Sequence, residues 1–304
     1  MKKRILILGG GISREREISL KTANQVKNCL KKKYKVLQAD LNSNFETKLK
    51  SFKPEIVFNA LHGRFGEDGY VQTILENNKV KYTHSGVLSS ALAMDKLSSK
   101  QIFIKNKILT PKFIIFKDSL SNINSLKKEI KKKLKFPVVI KPINEGSSVD
   151  VYISNEKNIK ANISKLYKHK EILIEEFIGG REIQVAILGK RKLGAIELKP
   201  KRKFYDYKAK YYTSSKTKHI IPVDLSKKNF NKVLNIAFKA HNLLKCRGVT
   251  RSDFKFYKNK FYLLEINTQP GMTALSLVPE IAKYQNISFF NLIEWIIKNA
   301  SISR

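Results

Sequence analysis

Up to about residue 90, short apolar runs alternate with longer amphipathic stretches. The runs Arg4 to Leu8, Tyr34 to Ala39, Glu55 to Ala60 and Val80 to Thr83 read as buried strands bounded by turn residues. Between the first two, Ile18, Ala23, Val26 and Leu30 fall on one helical face. Ser13 is the expected N-cap of that helix, with Glu15 and Glu17 in a first turn where the helix dipole favours negative charge. Strands alternating with helices predict a parallel sheet with crossover helices.

The pattern changes between Ala91 and Ile178. A helix around Lys96 precedes the strand FPVVIKP, a Gly/Ser loop, the strand VYIS, a polar helix and the strand EILIEEF. After Gly179-Gly180 come a strand from Ile183 to Leu188, a basic and aromatic segment, a helix from Val233 to Leu244, and a closing hairpin and helix. This order predicts three units, 1–90, 91–178 and 179–304. A chain of 304 residues that is 42% hydrophobic is large enough to supply each with a core. No repeat of solenoid period is evident.

Composition narrows the picture further. The apolar run that opens the chain is too short for a secretory segment. No uninterrupted apolar stretch reaches the roughly 18 residues of a membrane helix, because Asn291 and Glu294 break the late candidate ISFFNLIEWII. No membrane association is therefore expected, and two distant cysteines, Cys29 and Cys246, fit a reducing, cytoplasmic setting. Sixty Lys and Arg against 25 Asp and Glu give +35, a balance that directs attention to nucleic acid. The bases are nevertheless spread over the chain, in runs such as Lys31-Lys32-Lys33 and Lys131-Lys132-Lys133, which reads as solvated helix faces rather than one binding stripe.

Candidate chemistry is densest near the C-terminus. Two alternating runs, Val249 to Phe256 and Phe261 to Ile266, flank Lys258-Asn259-Lys260 and predict a β-hairpin. Centring it on Asn259 sets Arg251 opposite Asn267 and Asp253 opposite Glu265. The period of two then gathers those four on one face and Phe254, Phe256, Tyr262, Leu264 and Ile266 on the other. Two carboxylates and an amide suit Mg²⁺, which prefers oxygen ligands and shares its sphere with phosphates. A surface hairpin laced by ion pairs is the plainer reading, but it does not call for a neutral Asn beside Glu or for the Pro270-Gly271 turn.

Four weaker signals accompany it. Lys141 ends a buried strand before Gly146-Ser147-Ser148, which offers phosphate donors or simply turns the chain; no Walker A pattern is present. The strand ILIEEF ends in acids before Gly-Gly, with Glu182 beyond, as a nucleotide edge or a solvated strand end. Gly9-Gly10-Gly11 and Asp40 match a dinucleotide fingerprint only in part, since Arg14 stands where its third glycine belongs; Glu15 and His62 would share that sheet edge. Lys199 to Lys218 interleaves bases with Phe204, Tyr205, Tyr207, Tyr211 and Tyr212, which suits either a phosphate-covering lid or single-stranded nucleic acid.

In family order, LGGGISREREIS, ALHGRFGEDG, SALAMDKLSSK, VVIKPINEGSSV, LIEEF, FYDYKAKY, TRSDF and LLEINTQPGMTALSLVP resemble the D-alanine:D-alanine ligases of the ATP-grasp superfamily, over nearly the whole chain. The resemblance implies an α/β, Rossmann-like parallel-sheet domain followed by a two-part ATP-grasp fold of α+β type, with residues 199–218 as lid. It implies ATP held by Lys96, Lys141 and Lys210 at the phosphates, by Glu175, Phe177 and Ile178 at the adenine, and by Glu182 at the ribose. Asp253, Glu265 and Asn267 would bind two Mg²⁺ or Mn²⁺ ions. Glu15, Ser147 and Tyr211 would fix the first D-alanine with His62 nearby, Arg251 and Gly271 would stabilise an oxyanion, and Ser276 and Leu277 would bind the second D-alanine. The implied product is D-alanyl-D-alanine for peptidoglycan precursor synthesis, made through a D-alanyl phosphate by a cytoplasmic homodimer without nucleic acid. Tyr211, where ester-forming relatives tend to carry Phe, favours the dipeptide. Three positions depart from the family pattern: Asp150 and His84 both stand where glycine is usual, and Leu275 where some relatives have histidine.

Overall fold

The computed structural model describes residues 2–42, 44–117, 122–146, 150–169, 171–199, 217–273 and 276–302. Ser147, Lys210, Tyr211 and most of the expected lid lie outside them.

The first unit runs β1 (Arg4–Leu8), α1 (Arg16–Leu30), β2 (Lys35–Ala39), α2 (Phe45–Phe52), β3 (Ile56–Asn59), α3 (Tyr70–Asn77) and β4 (Lys81–Tyr82). Its sheet is parallel, in the order β2-β1-β3-β4. The central strand carries Ile5, Leu6, Ile7 and Leu8, all fully buried, because helices cover both faces of a parallel sheet. Helix α1 starts later than expected. Ser13 does not cap it: its Oγ donates to the His62 carbonyl (2.6 Å) and accepts from the Glu15 N–H (3.2 Å), tying two loops at the sheet's C-terminal edge. Asp40 accepts from the Gly11 N–H (2.7 Å) and pairs with Arg16 (2.6 Å), so the acid of the partial fingerprint is engaged within its own loop.

The chain continues through α4 (Val87–Met94), α5 (Lys96–Lys105), β5 (Phe113–Phe116), α6 (Ile123–Lys133), β6 (Val138–Pro142), β7 (Tyr152–Ser154), α7 (Ile159–Lys165) and β8 (Ile172–Glu176). These strands form an antiparallel sheet, β5-β8-β6-β7, with its own core of residues such as Ile114, Leu126, Ile130, Ile140 and Ile174. Helix α5 is capped by Asp95, which accepts from the Ser98 N–H (2.7 Å), and buries Lys96, Ser99, Lys100 and Phe103 along one face.

The last unit comprises β9 (Arg181–Leu188), β10 (Arg191–Lys199), β11 (Lys218–Ile220), α8 (Lys227–Leu243), β12 (Val249–Tyr257), β13 (Lys260–Asn267), α9 (Leu277–Tyr284) and α10 (Phe289–Lys298). Its antiparallel sheet runs β11-β10-β9-β12-β13. One face packs α8 and, from the preceding region, Ala93, Phe103 and Ile108. The other shares a single core with the first sheet, in which Ile5, Ile7, Ala23 and Val26 meet Leu188, Val249, Leu277, Ile281 and Ile296. Core packing thus joins α4 and α5 to the C-terminal sheet, whereas the independent middle core spans Ile114 to Ile174.

The hairpin needs one correction. Tyr257 pairs with Lys260 across a two-residue turn, Lys258-Asn259, both residues having positive φ (46° and 59°), so the turn centres half a residue earlier than expected. A register shift follows: Phe254 opposes Leu263 while Asp253 opposes Glu265, leaving Leu264 as the extra residue of a bulge. The bulge restores the expected pairs Asp253 with Glu265 and Arg251 with Asn267. It also moves Tyr262 and Leu264 off the core face, where Phe261 and Leu263 lie instead.

Among the described residues, no helix is long and apolar enough to cross a membrane. Both cysteines are free thiols.

Candidate active site

Two cavities meet at the polar face of the hairpin. The larger, about 310 Å³, lies between the first sheet's C-terminal edge and the C-terminal unit, and its walls include His62, Glu67, Arg251, Asn267, Gly271 and Ser276. The smaller, about 90 Å³, lies between the two antiparallel sheets, with Lys141, Glu175, Phe177, Ile178, Glu182 and Asp253 in its walls. Lys96, Glu145 and Glu265 line both. A group bound in one cavity therefore abuts a group bound in the other at one lysine and two glutamates.

At that junction Arg251 makes a two-pronged ion pair with Asp253 (2.8 and 3.0 Å), and its Nε also lies 3.2 Å from the Gln184 side-chain oxygen. Lys96 Nζ donates to the Glu145 carbonyl and stands 3.9 Å from Glu265. Asn267 Oδ1 accepts from the Gln269 N–H (2.7 Å), which fixes the amide at the strand end. Two carboxylates and an amide fit Mg²⁺ or Mn²⁺ only in part, since these ions want six oxygens. Among the described residues no group of three or more His, Cys, Asp or Glu is gathered for a metal. The set suits an ion whose sphere is completed by phosphate oxygens and water.

In the smaller cavity Glu175 is nearly inaccessible, and each carboxylate oxygen meets a lysine: Lys100 at 2.8 Å and Lys141 at 2.8 Å. Burial alone would lift its pKa, but the two ammonium groups, Lys100 foremost, hold it below the usual carboxylate range. A carboxylate so engaged orients lysines more than it offers itself to a base. Phe177 and Ile178, just past the end of β8, line the cavity beside it. Glu182 also lines it, paired with Lys255 (2.8 Å).

On the larger side, His62 Nδ1 lies 3.1 Å from Glu67, and Nε2 lies 3.4 Å from Thr22 Oγ1. Burial opposes charging of this imidazole, yet the Glu67 hydrogen bond and the charges of Glu67 and Glu15 raise its pKa above the ordinary value. Glu15 is buried behind the glycines of both loops: a methyl group on Gly146 would fall 3.3 Å from its Oε2, and one on Gly63 would fall 2.9 Å away. The carboxylate thus lies against the loop that leads to Ser147. Ser276 Oγ accepts from the Thr273 N–H (2.9 Å) and lies 2.9 Å from Thr273 Oγ1, at the mouth of α9 where Leu277 begins the helix.

Leu275 lies outside the described residues, and the other two departures have a backbone basis. His84 and Asp150 both adopt left-handed conformations (φ 70° and 56°), which glycine takes without strain. The Asp150 side chain lines neither cavity and reaches Lys168 (2.7 Å), His169 (3.4 Å) and Arg14 (3.7 Å) instead. Of the expected residues, Lys96, Lys141, Glu175, Phe177, Ile178, Glu182, Arg251, Asp253, Glu265, Asn267, Gly271, Ser276, Leu277 and His62 line the paired cavities, with Glu15 just behind. Glu67, Lys100, Gln184 and Lys255 were not anticipated. Lys100 had a signal: it follows Lys96 by four, the spacing of one helical face.

A cleft between two antiparallel sheets, abutting a second pocket on a parallel-sheet domain, fits a carboxylate-amine ligase of the ATP-grasp class. The family profile described as "D-ala D-ala ligase C-terminus" matches residues 102–298. The chain is 64% identical over its full length to a full-length D-alanine–D-alanine ligase of Pelagibacter ubique (strain HTCC1062). Its fold matches the crystal structure of a D-alanine–D-alanine ligase from Bacillus anthracis complexed with ATP (TM-score 0.83, 30% identity, 98% of this chain and 97% of that one). It matches the VanG D-Ala:D-Ser ligase of Enterococcus faecalis with the same TM-score at 26% identity, covering 98% and 99% of the two chains. The chain belongs to the D-alanine–D-alanine ligase family.

Proposed function

We propose that the chain joins two D-alanine molecules at the expense of ATP, giving D-alanyl-D-alanine, ADP and phosphate. The observation that carries this reading is the junction of the two cavities at Lys96 and Glu265. ATP occupies the smaller cavity, with its adenine against Phe177 and Ile178, its ribose at Glu182 and its phosphates at Lys96, Lys141 and Lys210. The amino acids occupy the larger cavity: the first at Glu15, His62, Ser147 and Tyr211, the second at Ser276 and Leu277. Asp253, Glu265 and Asn267 would hold two Mg²⁺ or Mn²⁺ ions, which supply neutralisation of phosphate charge.

The chemistry follows from that placement. A free carboxylate resists attack by an amine, so the first D-alanine's carboxylate oxygen takes the γ-phosphoryl group and ADP leaves. The lysines balance the charge that spreads over the transferring group. The second D-alanine's amine then attacks the acyl carbon, and phosphate leaves with the bonding pair. Arg251 and the Gly271 N–H stabilise the oxyanion that forms between. For Arg251 this requires release from Asp253, whose carboxylate would instead hold a metal ion, and the ion would supply the competing charge.

The reading extends to organisation. The chain works as three units, 1–90, 91–178 and 179–304, with residues 199–218 as a lid, and as a cytoplasmic homodimer with no nucleic-acid partner. The spread of lysines over helix faces supports the last point. The D-serine-using neighbour has the same fold, so the second substrate is decided within the larger cavity. The test is ADP release with D-alanine, L-alanine and D-serine, with product identified by mass. Strong stimulation by D-alanine alone, with the dipeptide formed, is expected; equal stimulation by L-alanine refutes the assignment.

A further inference from the structure

We infer that Lys100, a residue in neither cavity wall, is a positioning residue that keeps Lys141 available to the nucleotide phosphates by holding the other side of Glu175. This rests on the nucleotide reading of the smaller cavity.

The geometry is that of a shared carboxylate. Lys100 is fully buried, with Nζ 2.8 Å from one Glu175 oxygen, 2.6 Å from Thr110 Oγ1 and 5.7 Å from the centre of the Phe113 ring. Lys141 takes the other Glu175 oxygen at 2.8 Å while its side chain lines the cavity. A lone buried Lys–Glu pair is a closed, neutral unit in which the lysine's charge is largely cancelled. Here two ammonium groups face one carboxylate, so one positive charge remains, and only Lys141 has access to the cavity to use it. Lys100 also fixes where Glu175 points. Its ammonium forms an ion pair with the carboxylate and donates to Thr110, which pins both at the seam between α5 and β8. Glu265, at the cavity junction, adds a favourable charge from a further strand. Burial lowers the Lys100 pKa, Glu175 opposes it and Lys141 adds to the lowering, to about 8 in all, so the ammonium remains charged at neutral pH.

If Lys100 acts in this way, removing it turns Lys141 inward onto Glu175 and weakens phosphate binding without touching the amino-acid pocket. The experiment measures KM for ATP, KM for D-alanine and kcat, with direct ATP binding, in the wild type, Lys100→Met, Lys141→Met and the double variant. Lys100→Met is expected to raise KM for ATP about tenfold while KM for D-alanine stays within about twofold, and to have little further effect in the Lys141→Met background. Lys100→Arg, which keeps the charge, is expected to recover most of the ATP affinity. An additive double variant, or equal loss for both substrates, overturns the inference, because a merely structural lysine would act alike in either background. Should Lys100→Met fail to fold, Thr110→Val removes the neutral anchor and is expected to raise KM for ATP about threefold, again only when Lys141 is present; an effect that persists without Lys141 refutes it. A wild type that does not bind ATP refutes the reading of the cavity instead.

Discussion

Gly271 offers a clean test of the larger cavity. Its backbone lies outside the left-handed region, so alanine there introduces no conformational strain. The added methyl carbon would fall 2.9 Å from Ser276 Oγ, well inside ordinary contact, and 3.9 Å from His62 Nε2. The hydroxyl can retreat only by giving up its two contacts with Thr273, each 2.9 Å long. Losing both costs the fold about 2 kcal/mol with or without substrate, and the displaced hydroxyl can no longer bond a substrate carboxylate, a charged hydrogen bond worth about 2 kcal/mol or a factor of about 30 in affinity. That loss falls on whichever D-alanine uses Ser276. The expected outcome for Gly271→Ala is a rise of about 30-fold in the weaker of the two D-alanine constants, with KM for ATP nearly unchanged and the thermal midpoint lowered by several degrees. Steady-state ADP release over a wide D-alanine range resolves it, since two amino-acid sites give two constants. An unchanged D-alanine dependence would show that Ser276 and Gly271 do not face the second substrate.

Three further outcomes follow from the same geometry. Arg251→Ala is expected to lower kcat by about 10²–10³ while ATP binding, measured by calorimetry, holds within a few-fold; wild-type turnover would remove Arg251 from the chemistry. Glu265→Gln, at the junction of both cavities, should shift the Mg²⁺ concentration for half-maximal activity upward by an order of magnitude or more, and an unmoved Mg²⁺ titration would argue against a metal there. His84 is buried with its edge against Phe58 and an unpartnered Nδ1, and burial, then the nearby His62 and Arg247, pushes its pKa down to about 3. A histidine neutral when folded but protonated when unfolded withdraws stability as pH falls from about 6.5 toward that value, so His84→Asn should shrink the loss between pH 6.5 and 4 by about 3 kcal/mol, read by denaturant unfolding; an unchanged slope would contradict the burial argument.

Much of the site could be read from period alone. Alternation placed Arg251, Asp253, Glu265 and Asn267 on one face, and the structure pairs them so. It did so through a bulge that period cannot foresee, because an extra residue on one strand leaves both flanking patterns intact. Tyr262 and Leu264 were misplaced for that reason. The Ser13 cap failed on a different physical ground: a serine near a helix start is equally suited to a loop-to-loop hydrogen bond, and the His62 carbonyl, from a segment almost 50 residues away, wins. Lys100 escaped notice because a lysine is read by default as solvated, and only tertiary packing reveals the carboxylate that makes its burial tolerable. Aspartate at 150 and histidine at 84 stood out by type, but their positive φ angles belong to the backbone and leave no mark in residue order.

The core shared by the first and last sheets has a mechanical consequence. Ile7 and Val26 on one side and Leu188 and Ile296 on the other occupy one apolar cluster, so these units cannot separate without exposing it to water. Among the described residues the middle sheet closes its own core and is tied to α5 by polar links instead: Lys100 against Glu175, and the Lys96 N–H donating to the Ile143 carbonyl (3.2 Å). The walls of the larger cavity are therefore joined by a continuous apolar core, whereas the two sides of the smaller are linked by charged and polar contacts. On the proposed reading, a motion that opens the smaller cavity breaks these polar links rather than an apolar core, and its bending falls on the connectors between Lys105 and Phe113 and between Glu176 and Arg181.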